Sequence, residues 1–287
     1  MTKNIFKLTI ALLLTCLSSI NLFSQSVYTQ NDVDVCNSKF HLAVEKSLAQ
    51  KPINEIILEI AKSFIGTDYA ASTLEKGEKE TLVVNLTGLD CYTLLENSLV
   101  LARCIKNGKT SFEDYQKEVT NIRYRNGKLK QYPSRLHYFS DWIYEMQKRG
   151  IAKDVTKEIG GIVYKKKINF MTTHIDSYRQ LKANPLFVDE MKLIEKEISA
   201  RKYYYVPEDS ISKVESNIKS GDLIALTSDV EGLDIAHVGI AIKGEDGRIH
   251  FLHAPNVGYK VQITEKSLAD YVLANKKQTG IMVVRAN

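Results

Sequence analysis

The stretch from Cys91 to Ile105 constrains the fold more than any other. Leu94, Leu95, Leu99, Val100, Leu101, Ala102 and Ile105 are apolar at positions that go nearly all round a helix. Such a helix is stable only when neighbours cover it on several sides. Asp90, directly before it, is a good N-cap residue, and Gly88 reads as a turn that ends a short strand over "ETLVVNL". Two helices are expected upstream, over "NDVDVCNSKFHLAVEKSLAQ" and over "PINEIILEIAKSFIG", the second with Pro52 near its start and Gly66 after its end. Further helices are expected at about 111–121, 134–149 and 185–199. From Asp222 the period changes to two. "DLIALTS", "AHVGIAIKG", "RIHFLHAP", "YKVQIT" and "GIMVVRA" read as strands of an antiparallel meander. Helices first and strands last give an α+β class.

Residues 1–26 begin with Lys3 and Lys7, run through an apolar middle and end in small residues, which is the form of a cleaved export signal. Cys16 in "LLLTC" offers a lipid-anchor reading, which the preceding Thr15 and the apolar residues that follow disfavour. The remaining chain, 27–287, shows no repeat and no Pro/Gly/Ser-rich linker, so one domain with helical additions is expected, exported to the periplasm and monomeric. Removing Lys3 and Lys7 lowers the formal charge from +5 to +3. That excess, with no basic block interleaved with aromatics, argues against nucleic acid. "YKKKI" and "KLIEKEISARKYYY" read as solvated faces. No later stretch has the ~20 apolar residues of a membrane span.

Loss of Cys16 leaves Cys36, Cys91 and Cys104, an odd number, so at least one thiol stays free; Cys36 and Cys104 could pair. Cys91 stands in the first turn of the buried helix. There the backbone N–H groups and the helix dipole favour thiolate, while Asp90 opposes it. The competing reading is a structural, buried Cys. His237 in "AHVGIAI" and His253 in "HFLHAP" lie on strands joined by the hairpin loop "KGEDG", where cross-strand contact can bring them together; His250 is a rival imidazole on the same strand. Cysteine, base and orienter form a nucleophilic set. The clustered spacing of a zinc module is absent, and no metal or organic cofactor is called for. "SRLHYFSDW" adds Ser134, Arg135, His137, Tyr138 and Trp142 near one expected helix start. Arg135 suits a carboxylate and an aromatic suits a sugar face, although Tyr138 and Trp142 also fit a core stripe and Ser134 a helix cap. Asp90 and Tyr92 flank the thiol and are expected at the pocket rim. Asp234, three residues before His237, either shapes the site or caps a turn.

Taken in order, "GLDCYTLLEN", "YPSRLHYFSDWI", "IKSGDLIALTS", "GLDIAHVGIAI" and "HFLHAP" resemble the N-acetylmuramoyl-L-alanine amidase-like branch of the NlpC-type papain-like cell-wall hydrolases, from about Glu55 to the C-terminus. The resemblance implies a papain-like core in which the Cys-bearing helix packs on an antiparallel sheet. It implies Cys91 as nucleophile, His237 as base and His253 as the third polar residue. It departs at Tyr92 and Leu94-Leu95, where members usually carry Val-Thr-Phe-Val after the Cys. The implied substrates are peptidoglycan fragments (muropeptides), cut between N-acetylmuramic acid and L-alanine, best when the sugar is in the 1,6-anhydro form. A γ-D-glutamyl-diamino acid endopeptidase, an acyl or peptidyl transferase on the same triad, and a non-catalytic muropeptide-binding module are the alternatives.

Overall fold

A computed structural model describes residues 26–287, apart from Lys76 and Val257. The expected export segment with Cys16 lies outside the described residues, Ser26 excepted. Helices α1 (Gln30–Glu45) and α2 (Ile53–Lys62) precede a two-residue strand β1 (Asp68–Tyr69), and its parallel partner β2 (Gly88–Leu89) leads straight into α3 (Cys91–Lys106). Then come α4 (Phe112–Arg123), α5 (Phe139–Lys148), β3 (Ala152–Asp154) and β4 (Ile162–Tyr164). Two short helices, α6 (Phe170–Thr173) and α7 (Arg179–Ala183), lead to α8 (Pro185–Ala200), β5 (Tyr203–Pro207) and α9 (Ile211–Val214). The chain closes with β6 (Leu223–Ser228), β7 (Ile235–Lys243), β8 (Ile249–His253), β9 (Gln262–Ile263), α10 (Leu268–Leu273) and β10 (Gln278–Ala286).

The class is α+β, with one eight-stranded antiparallel sheet in the order β4-β5-β10-β6-β7-β8-β9 and β3 added beside β10. Alternation along the central strands decides what each face covers. Leu223, Ala225, Met282 and Val284 face the core shared with α1 to α5, while Ile224, Leu226, Ile281 and Val283 face a second core under α9 and α10. Helix α3 fills the centre of the first core, with Leu94, Leu95, Leu99, Val100, Leu101 and Ala102 fully buried. Gly221 shows how closely α2 approaches the sheet. Its φ is +87°, and a Cβ there would meet the Asn54 carbonyl oxygen at 2.1 Å, so only glycine fits the turn into β6.

Several sequence expectations are corrected. "ETLVVNL" is not a strand: it makes one bridge, Val27 to Val83, and its apolar side chains are buried from an irregular segment. Gly88 sits in β2 rather than in a turn. Most of β5 and the last residue of β4 lie in stretches read as solvated faces, because Lys and Arg beside the tyrosines hid the alternation, and β3 falls where no element was expected. The C-terminal strand does not end the meander. It returns to the middle of the sheet and pairs with β6 on one side and β5 on the other. Helix α5 starts at Phe139, not 134, and its N-cap is Tyr138, so Ser134 caps nothing there. Cys36 and Cys104 are both buried as free thiols, each with its pKa pushed up mainly by burial, so the pairing considered above is not formed. Among the described residues no helix is long and apolar enough to cross a membrane.

The first core also encloses an ion pair. Glu96 on α3 is fully buried, and the Arg123 Nη2 from α4 reaches its Oε2 at 2.5 Å, while Arg123 Nη1 donates to the Val83 carbonyl at 2.6 Å. Tyr92 Oη donates to Glu96 Oε1 at 3.0 Å, so the pair also fixes the residue next to Cys91. Glu96→Ala is expected to cost about 3–5 kcal/mol in denaturant unfolding, because it leaves the guanidinium buried and unpaired. Adding Arg123→Met should recover most of that loss. A single-variant cost below about 1 kcal/mol would show that the pair holds little together.

Candidate active site

Cys91 is the first residue of α3, and its placement follows from a reciprocal cap. Asp90 Oδ1 accepts from the Thr93 backbone N–H at 2.8 Å, and the Asp90 N–H donates to Thr93 Oγ1 at 2.9 Å. The cap sets the direction in which the helix leaves β2 and hence where the sulfur points. Backbone N–H groups of Cys91, Tyr92 and, across from β7, Val238 favour the thiolate. Burial and then the Asp90 charge outweigh them, and the thiol is pushed up to about 12. The helix terminus considered alone suggests the opposite sign. Desolvation decides, and it comes from the strand packed over the helix start.

His237 lies on β7 in the same cleft as Cys91. Its Nε2 is 2.7 Å from Nδ1 of His253 on β8, with the rings nearly perpendicular at 82°. The β7–β8 register pairs Ile240 with Leu252, which puts Gly239 opposite His253 and leaves His237 on the diagonal. A Cβ at Gly239 would sit 2.5 Å from the Leu252 carbonyl oxygen and 2.7 Å from the Phe251 ring. The "HVG" spacing therefore keeps the two strands close enough for the imidazoles to meet. His253 is 1% exposed and packed between Phe251 and Tyr271, and its Nε2 has no partner. Burial holds His237 at about 4, and burial together with His237 holds His253 at about 3, so both rings are neutral near pH 7. With Nε2 of His237 taken by His253, Nδ1 is the nitrogen left for a proton from the thiol. His250 is three residues from His253, an odd step, and turns the other way. Its Nδ1 meets the Thr264 carbonyl at 2.9 Å and its Nε2 meets Asp246.

The cleft has a volume of about 400 Å³, and Tyr69, Glu75, Tyr92, Arg135, His137 and Phe139 line it beside Cys91 and His237. A family model described as AmiA-like, N-acetylmuramoyl-L-alanine amidase-like, matches residues 59–281. The chain belongs to this amidase-like family. The crystal structure of an N-acetylmuramoyl-L-alanine amidase from Bacteroides uniformis ATCC 8492 is 34% identical, covers 82% of this chain and 99% of that one, and has a TM-score of 0.77. A Bacteroides fragilis protein named provisionally as a xylanase is 37% identical over 79% of this chain and 99% of its own, with a TM-score of 0.75. A Legionella pneumophila protein, 23% identical over 90% of this chain and 95% of its own, is alike in fold alone, with a TM-score of 0.65. The comparison with curated proteins gives no match. Family and neighbours together support a peptidoglycan amidase in the broad sense.

Within this amidase-like chain the other expected site residues divide. Asp90, Tyr92, Arg135 and Asp234 line the cleft with Cys91 and His237. Ser134 does not: it closes a 3-10 turn, donates to the Gln131 carbonyl at 2.6 Å and faces a different depression. Tyr138 is buried, donates to Glu195 Oε1 at 2.7 Å and accepts from the Met171 N–H, and Trp142 is fully buried, so both belong to the core. Arg135 is only 5% exposed, and its charge is already met by Glu75, by Glu80 at 3.6 Å and by the Leu74 carbonyl at 3.2 Å. Asp234 Oδ2 accepts from the Ser140 N–H at 2.7 Å, so it caps the first turn of α5 from the loop before β7.

Tyr69, Glu75 and Phe139 have no counterpart among the residues expected from sequence, and His137, expected on a helix start, reaches the cleft from extended chain. Reading 134–149 as helix pointed the wrong side chains at the substrate. The chain is extended before Phe139, and that conformation sends Arg135 and His137 to the cleft while Tyr138 turns inward. Tyr69 had no signal of its own, since β1 is two residues long.

Proposed function

We propose that the protein is a cysteine-dependent N-acetylmuramoyl-L-alanine amidase with a papain-like core, acting outside the cytoplasm on muropeptides. The observation that carries this reading is the Cys91 sulfur at the start of a rigid buried helix, in one cleft with an imidazole whose far nitrogen is held at 2.7 Å by a second imidazole. His237 Nδ1 takes the thiol proton as sulfur bonds to the lactyl carbonyl carbon, and the carbonyl π-electrons move to oxygen. The oxyanion is met by the Cys91 N–H and, as second donor, by the Tyr69 phenol, which lines the cleft and whose pKa is raised by burial first and then by the neighbouring Cys91. Collapse of the intermediate breaks the C–N bond, and the imidazolium returns its proton to the alanine nitrogen. Water then hydrolyses the thioester with His237 again as base. His253 fixes the tautomer of His237 by accepting its Nε2–H.

Tyr92 and Phe139 pack edge to face at 6.4 Å and supply an aromatic wall for the sugar. Arg135 meets a peptide carboxylate only by giving up Glu75, which makes the Glu75–Arg135 pair a selective rather than an open subsite. A glycosidase acting on xylan needs two carboxyl groups free to flank the bond. Here Asp90 and Asp234 are spent on helix caps and Glu75 on Arg135.

Incubation with purified anhydro-disaccharide tetrapeptide, followed by mass spectrometry, tests the reading. Free anhydro-disaccharide plus intact tetrapeptide is the expected result. A disaccharide that still carries L-Ala-D-Glu would overturn it in favour of the endopeptidase. Release of xylo-oligosaccharides from xylan, with the muropeptide untouched, would overturn the amide chemistry itself.

A further inference from the structure

The described residues form a second concavity apart from the cleft of Cys91. It is a basin of about 540 Å³ between the end of β4 and the start of β5. Pairing of Tyr164 with Tyr203 brings together the two basic runs that are far apart in sequence. Lys165, Lys166 and Lys167 line one side, Arg201 and Lys202 the other, and no carboxylate lines it. Arg201 is engaged by Asp141 at 2.5 Å, and Lys166, which faces Asp229 and Asp234, donates to the Ser228 carbonyl. Lys165, Lys167 and Lys202 form no ion pair among the described residues, so their charge is open to a ligand. Spread lysines without a nest of converging N–H groups suit several separated anionic groups better than one phosphate.

Hydrogen bonds to the 228–234 loop connect the basin to the cleft. Tyr164 Oη donates to the Asp234 carbonyl at 3.0 Å, Lys166 donates to the Ser228 carbonyl, and Leu233 and Asp234 of the same loop line the cleft. A chain too long for the cleft would pass the 228–234 loop and meet these lysines. We propose that the basin is a second, non-catalytic site that binds carboxylates of peptide stems on intact cell-wall polymer. This rests on peptidoglycan being the substrate. The two wall-binding surfaces then divide the work: the cleft takes the scissile stem, and the basin takes its neighbours.

The test uses the Cys91→Ala protein, which holds the wall without cutting it, and measures its retention on purified sacculi. The combined variant K165E/K167E/K202E is expected to lose at least fivefold in retention, and a control of equal charge change outside the basin, K213E/K266E/K276E, to stay within twofold. Retention should fall as salt rises. It should also fall on sacculi whose carboxylates have been capped with an amine by carbodiimide, and survive hydrofluoric acid treatment that strips phosphate. With Cys91 present, hydrolysis of soluble anhydro-muropeptide by the K165E/K167E/K202E variant should stay within twofold, so failure of the basin and failure of the amidase reading are told apart. Unchanged retention of the basin variant, dependence on wall phosphate, or stronger binding to phosphatidylglycerol vesicles than to sacculi would each overturn the proposal.

Discussion

Cys91→Ala is expected to reduce muropeptide hydrolysis by about 10⁴- to 10⁶-fold, the range seen when a nucleophile is removed from a set that acts as a unit. The fold should survive. The side chain makes no ion pair or disulfide, and a thiol packed at the head of a helix behaves as a small hydrophobe, so the cost in stability is expected to be below about 1 kcal/mol. The helix start does not depend on the sulfur, because Asp90 and Thr93 cap each other whatever residue stands between them. Thermal melting and far-ultraviolet circular dichroism of the variant check the fold, and product analysis checks the rate. Residual activity within tenfold of the parent would remove Cys91 from the chemistry. With the thiol pushed up to about 12 and His237 held at about 4, the proposed mechanism starts from thiol and neutral imidazole, and it requires activation by proton transfer at the moment of attack rather than by standing ionisation.

His237→Ala should cost nearly as much, about 10⁴-fold, whereas His253→Asn should cost about 10- to 100-fold, because an amide oxygen can still accept the His237 Nε2–H and keep the tautomer. The pH profile separates base from orienter. The proposed base is neutral His237 and burial holds it at about 4, so activity is expected to fall only as pH drops towards about 4, well below the ordinary 6.5. Stability follows the same sign. Both imidazoles are neutral in the native state down to pKa values of about 4 and about 3, while the unfolded chain takes up protons near 6.5. The native state therefore loses stability as pH falls through that window, and is at full strength above it. His253→Asn removes one of the two buried titrating rings and should flatten the slope of melting temperature against pH between about 6.5 and 4. Equal rate losses from the two substitutions, with an unchanged pH slope, would rule out separate roles.

What the sequence determined was whatever depends on neighbours along the chain. The buried helix is legible from its apolar residues, and its start is legible from Asp90, because caps and helical periodicity act over three or four residues. Strands β6, β7, β8 and β10 are legible from alternation, and with them the presence of imidazoles on two strands joined by a short hairpin. Tertiary structure alone decided the rest. The meeting of His237 and His253 depends on a register in which Gly239 lies under His253. The pKa of Cys91 is raised because β7 covers the helix start, a burial that no local pattern encodes. Arg135, alone in its segment, suggests an open cation, yet Glu75 and Glu80 come to it from 60 and 55 residues away and neutralise it. The two lysine-rich runs have the composition of solvated faces. Only the pairing of β4 with β5 turns them into one concave, cationic surface, because charge adds up by distance in space and not by distance along the chain.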